Sequence, residues 1–231
     1  ADAVVFFRWR SCLTGTEQYW HGILPHSGNP GRRYDEVTRT VTDIGAVLDS
    51  VKSDRVKPNR VAMLFSFEQM WAFEIQPHHP DLKYLDVIRT FYNALHARNV
   101  PVDFVGIHDE FVDYDLVIAP MMFLVDDELV AKLRAYVENG GHLVSGMRTG
   151  VKDWSNRVLP ETLPGPFARM FGIRVDDYDT LRNVEQGVKY DEVEEPVTLW
   201  ADIIQTDGAQ VLASYTKDYY ASVPAITEHS W

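Results

Sequence analysis

The sequence is poor in cysteine and lacks basic clusters and long apolar runs, and each absence excludes a class of protein. Cys12 is the single cysteine, so an internal disulfide and a cysteine-based zinc cluster are excluded. Acidic residues outnumber basic ones, 34 against 22, which argues against a nucleic-acid partner. Neither a secretory signal nor an apolar run of roughly 20 residues occurs. We therefore expect a cytoplasmic protein with no membrane partner.

The chain also lacks the glycine-rich turns that bind nucleotides. The turn after the first strand of its α/β region reads SFEQMWAFE, with no glycine and two carboxylates, and no Walker loop occurs. Ser145, in LVSGM, stands at a strand end like a hydrolase nucleophile but lacks the glycine two residues earlier. We interpret Ser145 as a strand terminus and expect no cofactor.

Metal binding is not predicted either. His78 and His79 are adjacent in a proline-flanked loop, where neighbouring side chains diverge and do not readily chelate one ion. A solvated loop is the simpler interpretation. Glu17 and His21 have the i, i+4 spacing of a helical ligand pair, but no residue nearby supplies the remaining ligands.

Apolar periodicity divides the chain into two parts. A strand at residues 3–7 and an amphipathic helix at residues 34–52 come first, and the polar stretch 53–60, which contains Pro58, is the predicted boundary. The expected domains are residues 1–55 and 56–231. The chain opens on ADAVVFF without a cap and stops at Trp231 without a terminal element, so we expect a piece of a larger protein whose second domain is truncated.

After the boundary, strands alternate with helices. The predicted strands are 61–65, 102–107, 116–120 and 142–145, the predicted helices are 82–97 and 126–138, and residues 66–80 are predicted as a loop. This order indicates parallel pairing in a flavodoxin-like doubly wound sheet. Further on, residues 166–171 are predicted as a short helix, 197–199 and 209–215 as strands, and the acidic run 191–195 as a solvated loop.

Residues 6–26, FFRWRSCLTGTEQYWHGILPH, form the most unusual stretch. Sugar sites combine aromatic rings, which stack on the ring face of a sugar, with carboxylates and imidazoles that bind its hydroxyls. A loop after a barrel strand would present such groups where barrel active sites lie; here they are Trp9, Glu17, Tyr19, Trp20 and His21. The alternative is an irregular core loop, in which Glu17 pairs with one of the arginines at positions 8 and 10.

The opening run, ADAVVFFRWRSCLTGTEQYWHGILPHSG, resembles the last barrel strand and following loop of the family 42 glycoside hydrolases, the bacterial β-galactosidases. Their pattern is approximately GAD-x-V-x-FFRWR, a spacer, G-x-E-x-x-H and LPH. The resemblance implies the last strand and helix of a (β/α)8 barrel, followed by an amidotransferase-like α/β domain that mediates trimer formation. It is strong over the first thirty or so residues and rests on architecture after them.

The resemblance also implies roles for individual residues. Glu17 matches the family carboxylate that binds galactose hydroxyls. Anchoring on LPH puts Trp20 at the family's histidine position, with His21 beside it, so either side chain could complete the contact. Trp9 belongs to the FRWR match, which we interpret mainly as support for the barrel rim.

A retaining glycosidase needs two carboxyl groups about 5–5.5 Å apart. In this family both come from upstream strands, the acid/base in an Asn-Glu pair, and no such pair precedes the predicted boundary. We expect part of a retaining β-galactosidase acting on terminal β-D-galactosyl residues, inactive alone and without catalytic residues of its own. The alternative is a non-catalytic α/β binding or assembly module.

Overall fold

The computed structural model describes residues 4–50, 59–182 and 184–231, and the chain separates into two compact units, Ala1–Lys57 and Pro58–Trp231. We call these the N-terminal unit and the C-terminal unit. Most of the predicted boundary, residues 53–58, lies outside the described residues. No helix in the described ranges is long and apolar enough to cross a membrane.

The N-terminal unit consists of an irregular loop followed by helix α1, Arg32–Ser50. Helix α1 begins two residues earlier than expected, with Asp35 in its first turn, where a carboxylate complements the helix dipole. The strand predicted at residues 3–7 is not formed over residues 4–7, and Ala3 lies outside the described residues. A strand requires a neighbour for its amide and carbonyl groups, and among the residues of this unit that the structure describes, backbone pairing starts at Arg8.

The C-terminal unit opens with the predicted parallel sheet, whose strand order is β2-β1-β3-β4. Its strands are β1 (Val61–Phe65), β2 (Asp103–Gly106), β3 (Leu116–Ala119) and β4 (His142–Ser145). Ala62 pairs with Asp103 on one side and with Val117 on the other. Because β1 and β3 are flanked by strands on both sides, their side chains form the centre of the core, and the parallel α/β prediction is confirmed.

Helices cover both faces of this sheet. Helices α2 (Phe67–Ile75) and α3 (Tyr84–His96) contribute to one apolar cluster, and α4 (Asp127–Glu138) contributes to the other. The prediction of a loop over residues 66–80 is wrong, since α2 occupies much of it. Ser66 caps this helix, and its Oγ accepts from the amides of Glu68 and Gln69 at 3.1 and 3.4 Å.

The rest of the unit is antiparallel, apart from a 3-10 turn and the short helix α5 (Ala168–Phe171) at the place predicted for a helix. Strand β5 (Ile173–Thr180) pairs with β8 (Trp200–Thr206). A second sheet has the order β10-β9-β6-β7 and contains β6 (Gln186–Tyr190), β7 (Val193–Val197), β9 (Gln210–Tyr215) and β10 (Pro224–Glu228).

Two sequence interpretations in this region are wrong. The acidic run 191–195 is the turn and most of β7 in a hairpin with β6, not a loop. Strand β7 lies at a sheet edge and its first four residues are exposed, so it has no apolar alternation to reveal it. Of the strand expected at 197–199, only Val197 lies in a strand, as the last residue of β7, and β8 begins at Trp200. The strand expected at 209–215 is β9, Gln210–Tyr215.

Candidate functional site

The loop over residues 8–26 is held together by its own backbone. The amides of Ile23 and Leu24 donate to the carbonyls of Arg8 and Trp9 at 2.8 and 2.7 Å, and the Ser11 amide donates to the Leu24 carbonyl at 3.0 Å. Gly22 makes this approach possible, because a Cβ there would lie 2.6 Å from the Ser11 nitrogen. The pairing fixes the two ends of the segment that carries Glu17.

Glu17 is half-buried and forms an ion pair with Arg8, whose Nη1 donates to Glu17 Oε2 at 2.9 Å. Of the two arginines considered from the sequence, the structure therefore selects Arg8. The Arg8 guanidinium also lies 5.3 Å from the centre of the Phe7 ring. A cation held by a carboxylate and an aromatic ring has restricted freedom, and so does the carboxylate.

Trp20 lies close to this pair. Its amide donates to the Glu17 carbonyl at 3.0 Å, closing a turn, and its indole packs edge-on against Phe7 with ring centres 6.5 Å apart. Trp20 is 57% exposed. The carboxylate and guanidinium are ion-paired, and Trp20 is linked to them through the Phe7 ring and the backbone of Glu17; we call these residues the Arg8–Glu17–Trp20 cluster.

His21 and Trp9 have different neighbours. His21 lines an open pocket of about 360 Å³ together with Arg8 from the loop and Arg33, Glu36 and Val37 from α1. Trp9 packs edge-on against Tyr34 of α1, with ring centres 6.1 Å apart. Of the four predicted site residues, Glu17 and Trp20 therefore lie in one cluster, His21 lies in the pocket, and Trp9 lies against Tyr34.

The cluster offers hydrogen-bond acceptors, a fixed cation and an aromatic surface, which is the chemistry of a site for a neutral polyhydroxylated ligand. Within the described part of the chain, no group of three or more His, Cys, Asp or Glu side chains could hold a metal ion. Glu17 and His21 thus do not belong to such a group.

The candidates in the C-terminal unit have structural partners. Ser145 Oγ lies 2.9 Å from Thr149 Oγ1. The interpretation of His78 and His79 as solvated surface residues is wrong. His79 is buried, and its Nδ1 accepts from the Asp81 amide at 3.1 Å. His78 is half-buried among the rings of Phe73, Phe123, Tyr178 and Trp200, and these aromatic residues displace solvent from the loop.

Arg148 is only 6% exposed and was not identified from the sequence. Its guanidinium lies within 5.0 to 5.7 Å of the ring centres of Trp200, Tyr178 and Phe123, and its Nη2 donates to His78 Nε2 at 3.3 Å. Arg148 Nε and His78 Nδ1 are buried without a hydrogen-bond partner among the described residues. These residues join the parallel sheet to the β5–β8 pair.

Burial sets the ionisation of this group. It lowers the pKa of His78, and the charges of Arg148 and Lys152 lower it further. Burial raises the pKa of the Asp202 carboxyl, against the effects of a hydrogen bond from the Trp200 indole and the charge of Arg148. The opposite shifts follow from the cost of placing any charge in an apolar surrounding.

Comparison with known proteins explains the order of the two units. Residues 59–231 match the family profile described as the β-galactosidase trimerisation domain, and residues 1–47 match the β-galactosidase profile of glycoside hydrolase family 42. The chain is 35% identical over 233 residues to β-galactosidase BgaA of Clostridium cellulovorans, covering 100% of this chain and 35% of that protein. It is 42% identical over 202 residues to β-galactosidase BgaH of Haloferax lucentense, covering 87% of this chain and 29% of that protein.

The fold is also similar to solved structures. A β-galactosidase from Halorubrum lacusprofundi superposes with a TM-score of 0.81 at 33% identity, covering 98% of this chain and 34% of that one. The chain thus spans about a third of the length of the relatives it matches. The family profiles cover nearly every residue, and the chain belongs to glycoside hydrolase family 42, the β-galactosidases.

Proposed function

We propose that this chain is the part of a retaining β-galactosidase that supplies one edge of the galactose site and the domain through which the enzyme assembles as a homotrimer. Residues 1–55 would complete the catalytic barrel, and residues 56–231 would form the oligomerisation domain. The cytoplasm remains the expected location. The observation that carries the sugar-binding part is the exposure of Trp20, one turn from Glu17, because an irregular core loop would bury that ring.

The ion pair suits Glu17 for binding and not for catalysis. The carboxylate oxygens accept hydrogen bonds, so they can bind sugar hydroxyls. Double displacement needs a second carboxyl group about 5–5.5 Å from the first and a proton on one of them. We assign both catalytic carboxyl groups to the part of the enzyme upstream of this chain, and Glu17 to a galactose hydroxyl.

The same cluster favours Trp20 over His21 as the second residue that contacts the sugar. Trp20 shares the turn with Glu17 and exposes its indole, whereas His21 lines the pocket beside α1. An exposed indole beside a carboxylate can pack against the apolar face of a pyranose while the carboxylate binds its hydroxyls. We propose Trp20 as the sugar contact and His21 and Trp9 as residues that position the loop against α1.

The test uses the full-length enzyme and the variant Glu17→Gln. Loss of a hydrogen bond to a charged group costs about 1.5–3 kcal/mol, which lowers kcat/KM for a chromogenic β-galactoside by about 10- to 150-fold. Glu74→Gln, which alters an exposed glutamate of α2, serves as the control and should leave kcat/KM unchanged. Equal activity of the two variants would contradict the role of Glu17.

Two further measurements separate the parts of the proposal. Trp20→Ala should raise KM more than His21→Ala, and the reverse order would assign the contact to His21. The 231-residue chain should not hydrolyse the chromogenic galactoside, so hydrolysis by it would refute the upstream assignment. If the enzyme containing this chain neither bound nor hydrolysed galactosides, the chain would be a non-catalytic assembly module.

A further inference from the structure

Aromatic rings form a continuous row on one edge of the C-terminal unit. On α2, Trp71 stacks on Phe67 with ring centres 5.9 Å apart, and Phe67 packs edge-on against Phe65 of β1 at 5.0 Å. Phe65 in turn contacts Phe104 of β2 at 6.5 Å, and Phe104 stacks on Tyr92 of α3 at 5.7 Å. We call these five residues the aromatic row. It crosses the edge strand of the parallel sheet and both helices on that face.

Much of the aromatic row is exposed. Phe67 and Trp71 are each 55% exposed and Phe104 is 53% exposed, while Ile75, one helical turn beyond Trp71, is 71% exposed. Aromatic side chains bury about 150–250 Å² each, so these residues leave on the order of 300–400 Å² of apolar surface in water. A contiguous patch of this size typically marks an interaction site.

The residues around the row are part of the sequence that matches the β-galactosidase trimerisation profile, residues 59–231. The formal net charge of the chain is −12, so copies of it repel one another at long range and their association requires apolar contact. Aromatic side chains are enriched at the centre of protein interfaces. A patch of about half the standard area per partner provides that centre.

We propose that the aromatic row, with Ile75, is the core of the contact between copies of this chain. The inference rests on the proposed homotrimer and adds the surface through which it forms. A cyclic trimer uses heterologous contacts, so the row of one copy packs against a different surface of the next copy. Each copy then contributes its row once, and three contacts close the ring.

The test is sedimentation velocity of the 231-residue chain over a range of concentrations, with the variants Trp71→Ser and Ile75→Lys. Each variant should raise the dissociation constant of the trimer at least about tenfold, since central aromatic and apolar anchors dominate interface energies. Tyr190→Ser, which removes an exposed ring of β6, is the matched control and should leave assembly unchanged. The Ile75→Lys variant is expected to fold normally, because the side chain of Ile75 is mostly in water. A loss of assembly in this variant is therefore not explained by misfolding.

The outcomes separate the inference from the proposed function. A trimeric wild type whose assembly is unaffected by both variants would overturn the role of the row and leave the homotrimer standing. A wild-type chain that stays monomeric at every concentration would refute assembly of the enzyme through this chain, and the inference with it. Protection of Trp71 from iodide quenching by a galacto-oligosaccharide, at concentrations where the chain is monomeric, would assign the row to sugar binding instead.

Discussion

The substitution Gln69→Leu tests how much the Gln69 side chain stabilises the crevice at the carboxyl ends of β1 and β3. Gln69 lies on α2 and is fully buried. Its Nε2 donates to the Leu124 carbonyl at 2.7 Å, and its Oε1 accepts from the Leu124 amide at 2.7 Å. Leu124 is itself buried. The Gln69 side chain therefore replaces the partner strand that these two backbone groups would otherwise require.

Leucine has nearly the volume of glutamine, so the substitution leaves little cavity and removes both bonds. The amide and the carbonyl of Leu124 are then buried without partners, each at a cost of about 1–3 kcal/mol. The expected loss is about 2–6 kcal/mol of the free energy of unfolding of the C-terminal unit. A domain of this size is stable by roughly 5–15 kcal/mol, so the variant should be strongly destabilised or unfolded.

Urea denaturation followed by far-UV circular dichroism measures this loss as a shift in midpoint at unchanged slope. Gln76→Leu makes the same chemical change at an exposed position and should alter the free energy of unfolding by less than about 0.5 kcal/mol. If Gln69→Leu shifted the midpoint no more than Gln76→Leu, the two hydrogen bonds between the Gln69 side chain and Leu124 would not stabilise the unit. That result would refute the prediction.

Two further predictions concern pH and close packing. Because burial and the charge of Arg148 lower the pKa of His78, the unfolded chain binds this proton more readily, and stability should fall as the pH drops below about 6.5. His78→Phe should flatten the dependence of the urea midpoint on pH between about 5 and 7; an unchanged slope would contradict the assignment. Gly22→Ala should lower the thermal midpoint, because its Cβ would lie 2.6 Å from the Ser11 nitrogen, whereas Gly45→Ala meets no atom within 4 Å and should raise the midpoint through helix propensity.

The parallel sheet was predictable because its central strands are buried on both faces and because turn residues mark the start of an edge strand. Strand β1, Val61–Phe65, is a continuous apolar run between polar residues, and β4, His142–Ser145, follows a glycine pair that ends a helix; both were predicted with the bounds found. Helix α2 was missed for the opposite reason. Phe67, Trp71 and Ile75 place apolar side chains on its exposed face, so its apolar residues follow no one-sided helical period.

The candidate site was predictable as a set of residues but not as an arrangement. Carboxylate, indole and imidazole were identified from their types, yet sequence spacing alone could not decide which arginine pairs with Glu17. That choice depends on the approach of residues 22–24 to residues 8–11, a contact between segments. Arg148 was not identified at all, because its aromatic neighbours Phe123, Tyr178 and Trp200 come from distant parts of the chain.

The crevice also explains why the second unit suits a structural role. In open α/β sheets, ligands bind at the carboxyl ends of the strands where the strand order reverses, here between β1 and β3. The turn after β1 carries Ser66 as a helix cap and Gln69 as a clamp on Leu124, where nucleotide-binding sheets have glycines whose amides contact a pyrophosphate. The side chains of Ser66 and Gln69 thus already bond the backbone groups at this end of the sheet. Such a unit can hold the aromatic row in a fixed arrangement, which is the requirement for a domain that joins copies of an enzyme.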